Sequence, residues 1–158
     1  MQTKTKLEKA TFAAGCFWGV EEAFRTLKGV VSTQVGYTGA SVENPNYDDV
    51  CSGRTGHAEA IQVNFDPKKI SYEKLLERFW SIHDPTQLNR QGPDVGAQYR
   101  SVIFFHNAKQ KETAEKSKAN LEKTGIKPVT KIIKASEFYK AEDYHQQYLS
   151  KRNQKVCH

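Results

Sequence analysis

A chain of 158 residues, 37% of them hydrophobic, with a formal charge of +6, can enclose one substantial core but not two full-sized ones, so a single domain over residues 1–158 is expected. No run of eighteen apolar residues is present to span a membrane, and the stretch Met1 to Ala10, with Lys4, Lys6, Glu8 and Lys9, lacks the apolar centre of a signal segment. A cytoplasmic protein without membrane association is the expectation.

The positive excess is uneven: residues 1–106 hold 12 Lys/Arg against 12 Asp/Glu, and residues 107–158 hold 12 against 6. Between Lys109 and Lys123 the lysines alternate with Glu112, Glu115 and Glu122 at helical spacing, the pattern of a solvated helix face rather than a nucleic-acid footprint. Three cysteines, Cys16, Cys51 and Cys157, lack metal-ligand spacing, and in a reducing compartment a disulfide among them is catalytic rather than structural.

In chain order, the apolar run Ala10 to Ala14 ends in Gly15, and Val20, Ala23, Phe24 and Leu27 then recur at helical spacing. Cys16 therefore falls where a strand hands over to a helix. Gly29 closes that helix, and Val30 to Tyr37 predicts a strand with Val31, Thr33 and Val35 on one face. Gly36 to His57 reads as one long functional loop carrying Tyr37, Tyr47 and Val50.

Ala58 to Phe65 alternates as a strand that opens with Glu59. Ser71 caps a helix in which Tyr72, Leu75, Leu76 and Phe79 share a face, with Trp80 and His83 beside it and Pro85 at its end. A second loop, Thr86 to Tyr99, leads into a strand over Ser101 to Phe105. A polar helix from Ala108 to about Lys123, a weak strand at Lys131 to Lys134 and a short helix from Ala141 to Tyr148 follow, and residues 149–158 form a mobile tail.

Through Phe105 the order is strand, helix, strand, strand, helix, strand. It predicts an α+β fold, a ferredoxin-like split βαβ sandwich whose mixed sheet carries its helices on one face, plus a C-terminal extension.

A cysteine at a helix N-terminus meets the positive end of the macrodipole, worth about 0.3 to 1 kcal/mol and at most about 2, which lowers a thiol pKa by roughly one unit. Cys16 is thus a usable nucleophile with no declared substrate. Phe17 and Trp18 follow it, and they serve either as walls of an apolar pocket for a small group such as a methyl or as plain core. Glu59 and Asp94 are the carboxylate candidates; a thiolate that expels oxygen from a sulfoxide requires an acid beside it. Tyr47 and Tyr99 are candidate neutral donors to that oxygen. His57 and His83 are assigned no catalytic role, and Cys51 is expected to be a buried structural thiol.

Together the segments Gly15-Cys16-Phe17-Trp18-Gly19, Gly36-Tyr37-Thr38-Gly39, Tyr47 to Glu59 and Asp94 to Ser101 resemble the A-class peptide methionine sulfoxide reductases. The resemblance implies that Cys16 is the nucleophile and Glu59 the acid, that Tyr47 and Tyr99 hold the sulfoxide oxygen, that Phe17 and Trp18 receive the methyl group and that Asp94 binds or orients the substrate backbone.

It further implies reduction of the S epimer of methionine sulfoxide, free or in oxidised proteins, without metal or organic cofactor. A Cys16 sulfenic acid is then resolved by Cys157 and the disulfide reduced by thioredoxin, in a monomer that binds no nucleic acid. A thiol peroxidase and an RNA-binding sheet are the rival readings.

Overall fold

Alternation decides the first strand. In a computed structural model that describes residues 6–53 and 55–151, β1 (Glu8–Ala14) turns Ala10, Phe12 and Ala14 to one face and Ala13 to the other, and from Ala10 onward every residue is buried. Burial on both faces marks a central strand. β1 pairs antiparallel with β3 (Ala58–Phe65) through Phe12 and Ile61, and on its other side with β6 (Ser101–Phe105) through Phe12 and Ile103.

β2 (Val30–Thr38) lies beyond β3 with Tyr37 opposite Glu59, and β8 (Tyr139–Lys140) pairs with β2 through Gly36 and Lys140. β7 (Lys131–Lys134) runs parallel to β6, so the six-stranded sheet is mixed, in the order β7-β6-β1-β3-β2-β8.

One face of the sheet is covered by α1 (Phe17–Arg25), α3 (Tyr72–Ser81) and α4 (Ala108–Lys123), which supply Val20 and Phe24, Leu75, Leu76 and Phe79, and Ala114. The Phe12 ring stacks on Phe24 at 5.2 Å and meets Phe79 at 5.3 Å. Each large side chain buried there contributes about 1.5 to 3 kcal/mol. Ala135 and Phe138, between β7 and β8, pack against Ala13, Ala58, Ala60, Val102 and Phe104.

Four expectations change. A bulge between Val30 and Ser32 leaves Val31 59% exposed, so it does not share a buried face with Val35. The loop from Gly36 to His57 contains a short helix, α2 (Tyr47–Cys51), because Asn46 and Asp49 form a capping box in which each side chain accepts from the other's backbone N–H. The loop from Thr86 to Tyr99 contains a hairpin of β4 (Arg90–Gln91) and β5 (Asp94–Val95), then a 3-10 turn over Ala97–Tyr99.

Fourth, the helix expected over Ala141 to Tyr148 does not form. A 3-10 turn, Asp143–His145, is followed by Gln147 at a φ of 53°, and α5 (Tyr148–Lys151) begins only after it. The side chains are spent elsewhere: Glu142 accepts from the Tyr37 hydroxyl at 2.9 Å and the Tyr47 N–H at 3.2 Å. The Gln146 amide accepts from Val35 N–H and donates to Val35 C=O, both at 2.9 Å. The Gln147 N–H donates to Glu21 Oε1. This stretch is a strap pinned to α1, α2 and β2. Cys157 and Arg54 lie outside the described residues. Among the described residues no helix is long and apolar enough to cross a membrane.

Candidate active site

Gly15 turns β1 into α1 at a φ of 100°, a left-handed conformation that glycine adopts without Cβ strain. The turn leaves Cys16 as the N-cap of α1 and Phe17 as its first helical residue. The first N–H groups of a helix have no intrahelical acceptor. That of Phe17 points at Glu59 Oε1, 3.4 Å away. Glu59 is 1% exposed and shares the face of β3 that carries Ile61 and Val63, so the sheet holds its carboxyl beneath the half-buried Cys16 end of α1.

Tyr47 begins α2 and Tyr99 ends the turn after β5. Burial raises the Tyr47 hydroxyl well above its ordinary pKa, helped by its hydrogen bond with the Cys51 thiol and by the charge of Glu59. Burial likewise raises Tyr99, with further pushes from Glu59, Cys51, Asp94 and Cys16. Both hydroxyls therefore stay protonated through neutral pH and remain donors. The same influences place Cys16, Glu59, Cys51 and the half-buried Asp94 around Tyr99.

Phe17 and Trp18 differ. Phe17 is 1% exposed, within a cluster of Val35, Tyr37, Val50 and Ala141. Its ring lies 5.8 Å from Tyr37, 6.4 Å from Tyr47 and 5.2 Å from His145. Trp18 is half-buried at the margin of that cluster, stacked on Tyr148 at 3.9 Å, with its indole N–H donating to His145 Nδ1 at 2.9 Å. Burial works against the charge of Glu142, but hydrogen bonds from its own N–H, the Tyr37 hydroxyl and the Tyr47 N–H outweigh it and hold the carboxyl below its ordinary pKa.

Cys51 is exposed, not buried as expected, because it ends α2, whose buried residue is Val50. Partial desolvation nevertheless raises its thiol against the lowering hydrogen bond from Tyr47, so it is held as a thiol. His57 and His83 make structural hydrogen bonds, His57 Nε2 to Val42 C=O at 2.6 Å and His83 to Phe79 C=O at 2.6 Å and to Ser101 Oγ at 2.8 Å. Among the described residues no group of three or more His, Cys, Asp or Glu side chains is arranged to hold a metal ion.

Sequence reasoning missed the strap residues Glu142, His145 and Tyr148. Their signal was the density of aromatic and polar side chains between Glu142 and Tyr148, which suits a segment that bonds sideways better than a helix.

The profile of the family described as peptide methionine sulfoxide reductase matches residues 8–158. The chain belongs to this family. It is 65% identical over 149 residues to a peptide methionine sulfoxide reductase MsrA of Methanosarcina acetivorans, an alignment covering 92% of this chain and 79% of that one.

Its structure is similar to that of Mxr1 from Saccharomyces cerevisiae in reduced form, with a TM-score of 0.90 and 39% identity, covering 98% of this chain and 90% of that one. Mxr1 in complex with Trx2 is also similar, with a TM-score of 0.65 and 28% identity over 94% of this chain and 88% of that one. As a peptide methionine sulfoxide reductase the chain is an oxidoreductase acting on methionine sulfoxide.

Proposed function

We propose that this reductase acts on the S epimer of methionine sulfoxide, free or in oxidised proteins, with Cys16 as nucleophile and Glu59 as acid. The observation that carries this reading is the convergence at the start of α1: the Glu59 carboxyl is buried against the Phe17 N–H, and two protonated tyrosine hydroxyls, Tyr47 and Tyr99, lie in its field.

The Cys16 thiolate attacks the sulfoxide sulfur. Tyr47 and Tyr99 donate to the oxygen as charge develops on it, and Glu59 delivers the proton. The attack joins the Cys16 sulfur to the substrate sulfur. The protonated oxygen then leaves the substrate sulfur for the Cys16 sulfur, the S–S bond breaks with its electron pair on the substrate sulfur, methionine leaves, and Cys16 carries the oxygen as a sulfenic acid. Phe17 and Trp18 receive the methyl group and Asp94 orients the substrate backbone.

The sulfenic acid condenses with Cys157 on the C-terminal tail, residues 149–158, and releases water as the disulfide forms. Thioredoxin then reduces that disulfide by exchange; the complex of Mxr1 with Trx2 supports this partner. The strand order β6-β1-β3-β2 supports reading the framework as a ferredoxin-like sandwich with β7 and β8 added at its edges. The protein works as a single-domain monomer in the cytoplasm.

The test is to incubate the protein with each epimer of a blocked methionine sulfoxide and dithiothreitol, beside Cys16→Ser. Reduction of the S epimer alone, abolished in Cys16→Ser, is expected. Reduction of the R epimer instead, or activity that survives the substitution, sinks the proposal. With thioredoxin as reductant, Cys157→Ser stops turnover after one cycle and Cys51→Ser does not.

A further inference from the structure

The hairpin that precedes Tyr99 stands at the surface, yet its polar groups are cross-braced. The buried Gln91 amide accepts from the Asp84 N–H and donates to the Asp84 C=O, both at 2.8 Å. Gln87 Oε1 accepts from the Gly92 N–H at 2.8 Å, and the Gly96 N–H donates to the Asn89 C=O at 2.9 Å. These bonds lie within the loop itself, so its shape does not wait for a partner.

That frame holds two apolar side chains in water. Val95 is 70% exposed and Leu88 66%, the two most exposed large hydrophobic residues among those described. In the β4–β5 ladder Arg90 lies opposite Val95 and Gln91 opposite Asp94. Successive strand residues face opposite ways. Gln91 and the half-buried Asp94 therefore turn inward, where the Asp94 charge reaches the Tyr99 hydroxyl, and Val95 turns outward beside Arg90. The bond between Gly96 and Asn89 makes the next rung, so Leu88 lies within two rungs of Val95.

Single apolar side chains on a surface are ordinary. This pair differs in its place: it continues outward from Asp94, which shares the field of Tyr99 with Glu59 and Cys16. The substrate of this family is a peptide, and a peptide extends beyond the residue that reacts. With the sulfoxide at Cys16 and its backbone along Asp94, the chain has to leave the cleft, advancing about 3.3 Å with each further extended residue. The hairpin is the surface it meets next to Asp94.

We infer that Leu88 and Val95 form an apolar rim that receives the side chain adjoining methionine sulfoxide in a peptide, so that the favoured substrate is a sulfoxide beside an apolar residue. This rests on the reading that Asp94 orients the substrate backbone. Apolar stretches are mostly buried in intact proteins, and the rim therefore selects oxidised polypeptide that has lost its packing. A braced loop gives up little freedom when a peptide lies on it, which leaves more of the contact as affinity.

The size of the rim also speaks for a peptide. A stable protein–protein interface buries about 1,200 to 2,000 Å², far more than two side chains offer. A peptide already held at Cys16 needs only a small added contact.

The test uses blocked tripeptides with the sulfoxide at the centre and Leu, Ser or Lys on one side or the other, together with blocked methionine sulfoxide alone. KM and the saturating single-turnover rate are compared for wild type, Val95→Thr, Leu88→Gln, the double variant and Asp94→Asn. Because both rim side chains are exposed, Tm is expected to stay at the wild-type value in the rim variants.

In the wild type, Leu on one side is expected to lower KM about tenfold relative to Ser there, as for partial burial of two aliphatic side chains. Each rim variant erases part of that difference and the double variant all of it, while the saturating rate stays within about twofold, the pattern of a lost binding contact. Equal KM for Leu and Ser peptides in the wild type overturns the rim, as does a preference that survives the double variant. A KM raised alike for every substrate also overturns it, since that marks a disturbed cleft.

Thioredoxin or a second copy of the chain are the other candidates for this surface. A double variant that raises the KM for thioredoxin and keeps the Leu preference, or one that dissolves a wild-type dimer in sedimentation and keeps it, overturns the proposal. Asp94→Asn isolates the underlying reading. If it raises KM for peptides and the lone residue alike while the rim variants change nothing, only the rim falls. If it leaves every KM unchanged, the reading of Asp94 falls, and a Leu preference lost in the double variant still upholds the rim.

Discussion

Glu59 makes two demands on one carboxyl, a partner for the Phe17 N–H and a source of a proton, and substitution separates them. Gln keeps an oxygen for the N–H and removes the acid. Glu59→Gln is therefore expected to fold normally and to slow sulfenic-acid formation by about a hundredfold or more, the usual span of general acid catalysis. Single-turnover release of methionine measures this, and a rate within about threefold of wild type excludes Glu59 as the proton donor.

Because Tyr47 and Tyr99 are both held in the protonated form, Tyr47→Phe and Tyr99→Phe should each cost about tenfold in the same step, with the double variant worse than either. That Cys16, Glu59, Tyr47 and Tyr99 come together was legible in the sequence, because each stands in a short motif beside a strand or helix boundary. His145 was not, since its partner Trp18 is 127 residues away and the contact exists only after the strap has folded back.

Elements were legible wherever one periodicity ran unbroken. β3, α3, β6 and α4 fall where alternation or helical spacing puts them, as does β7. What escaped was local chemistry that overrides periodicity: the Asn46/Asp49 capping box that makes α2, the bulge that exposes Val31, and side-chain bonds that keep Asp143–His145 out of an α-helix.

The strap depends on β8, and β8 depends on Gly36. A Cβ at Gly36 would run into the Tyr139 carbonyl oxygen and lie 2.7 Å from the Phe138 ring. Gly36→Ala must push β8 off the sheet, and with it Glu142 and His145. The expected result is a loss of about 1 to 3 kcal/mol of stability, read as a lower Tm, together with a raised KM. An unchanged Tm and KM show that β8 is dispensable to the site.

At the scale of the whole molecule, acid should loosen the strap. The Glu142 pKa lies below its ordinary value of 4.5, so its contribution to stability is complete above pH 4.5 and disappears as the pH falls through the lower folded value. The Tm difference between wild type and Glu142→Gln is expected to be largest near neutrality and to close as the pH falls through the lowered folded-state pKa. Parallel Tm curves across that range show that Glu142 carries none of the linkage. The four central strands could be anticipated from element order through Phe105, and β7 reads as a weak strand, but its parallel pairing with β6, which makes the sheet mixed, and the two-residue β8 print no pattern of their own.

The amide of Gln146 bears on how these molecules avoid one another. Beyond β8, the outer edge of β2 would present the Val35 N–H as a bare donor, while its C=O also accepts from the Ala141 N–H at 2.9 Å, and exposed strand edges recruit other chains into intermolecular sheets. Gln146 occupies both groups with its own oxygen and nitrogen. One side chain thus acts as a substitute peptide unit, seals the edge where no strand continues, and denies it to a neighbouring molecule in a crowded solution.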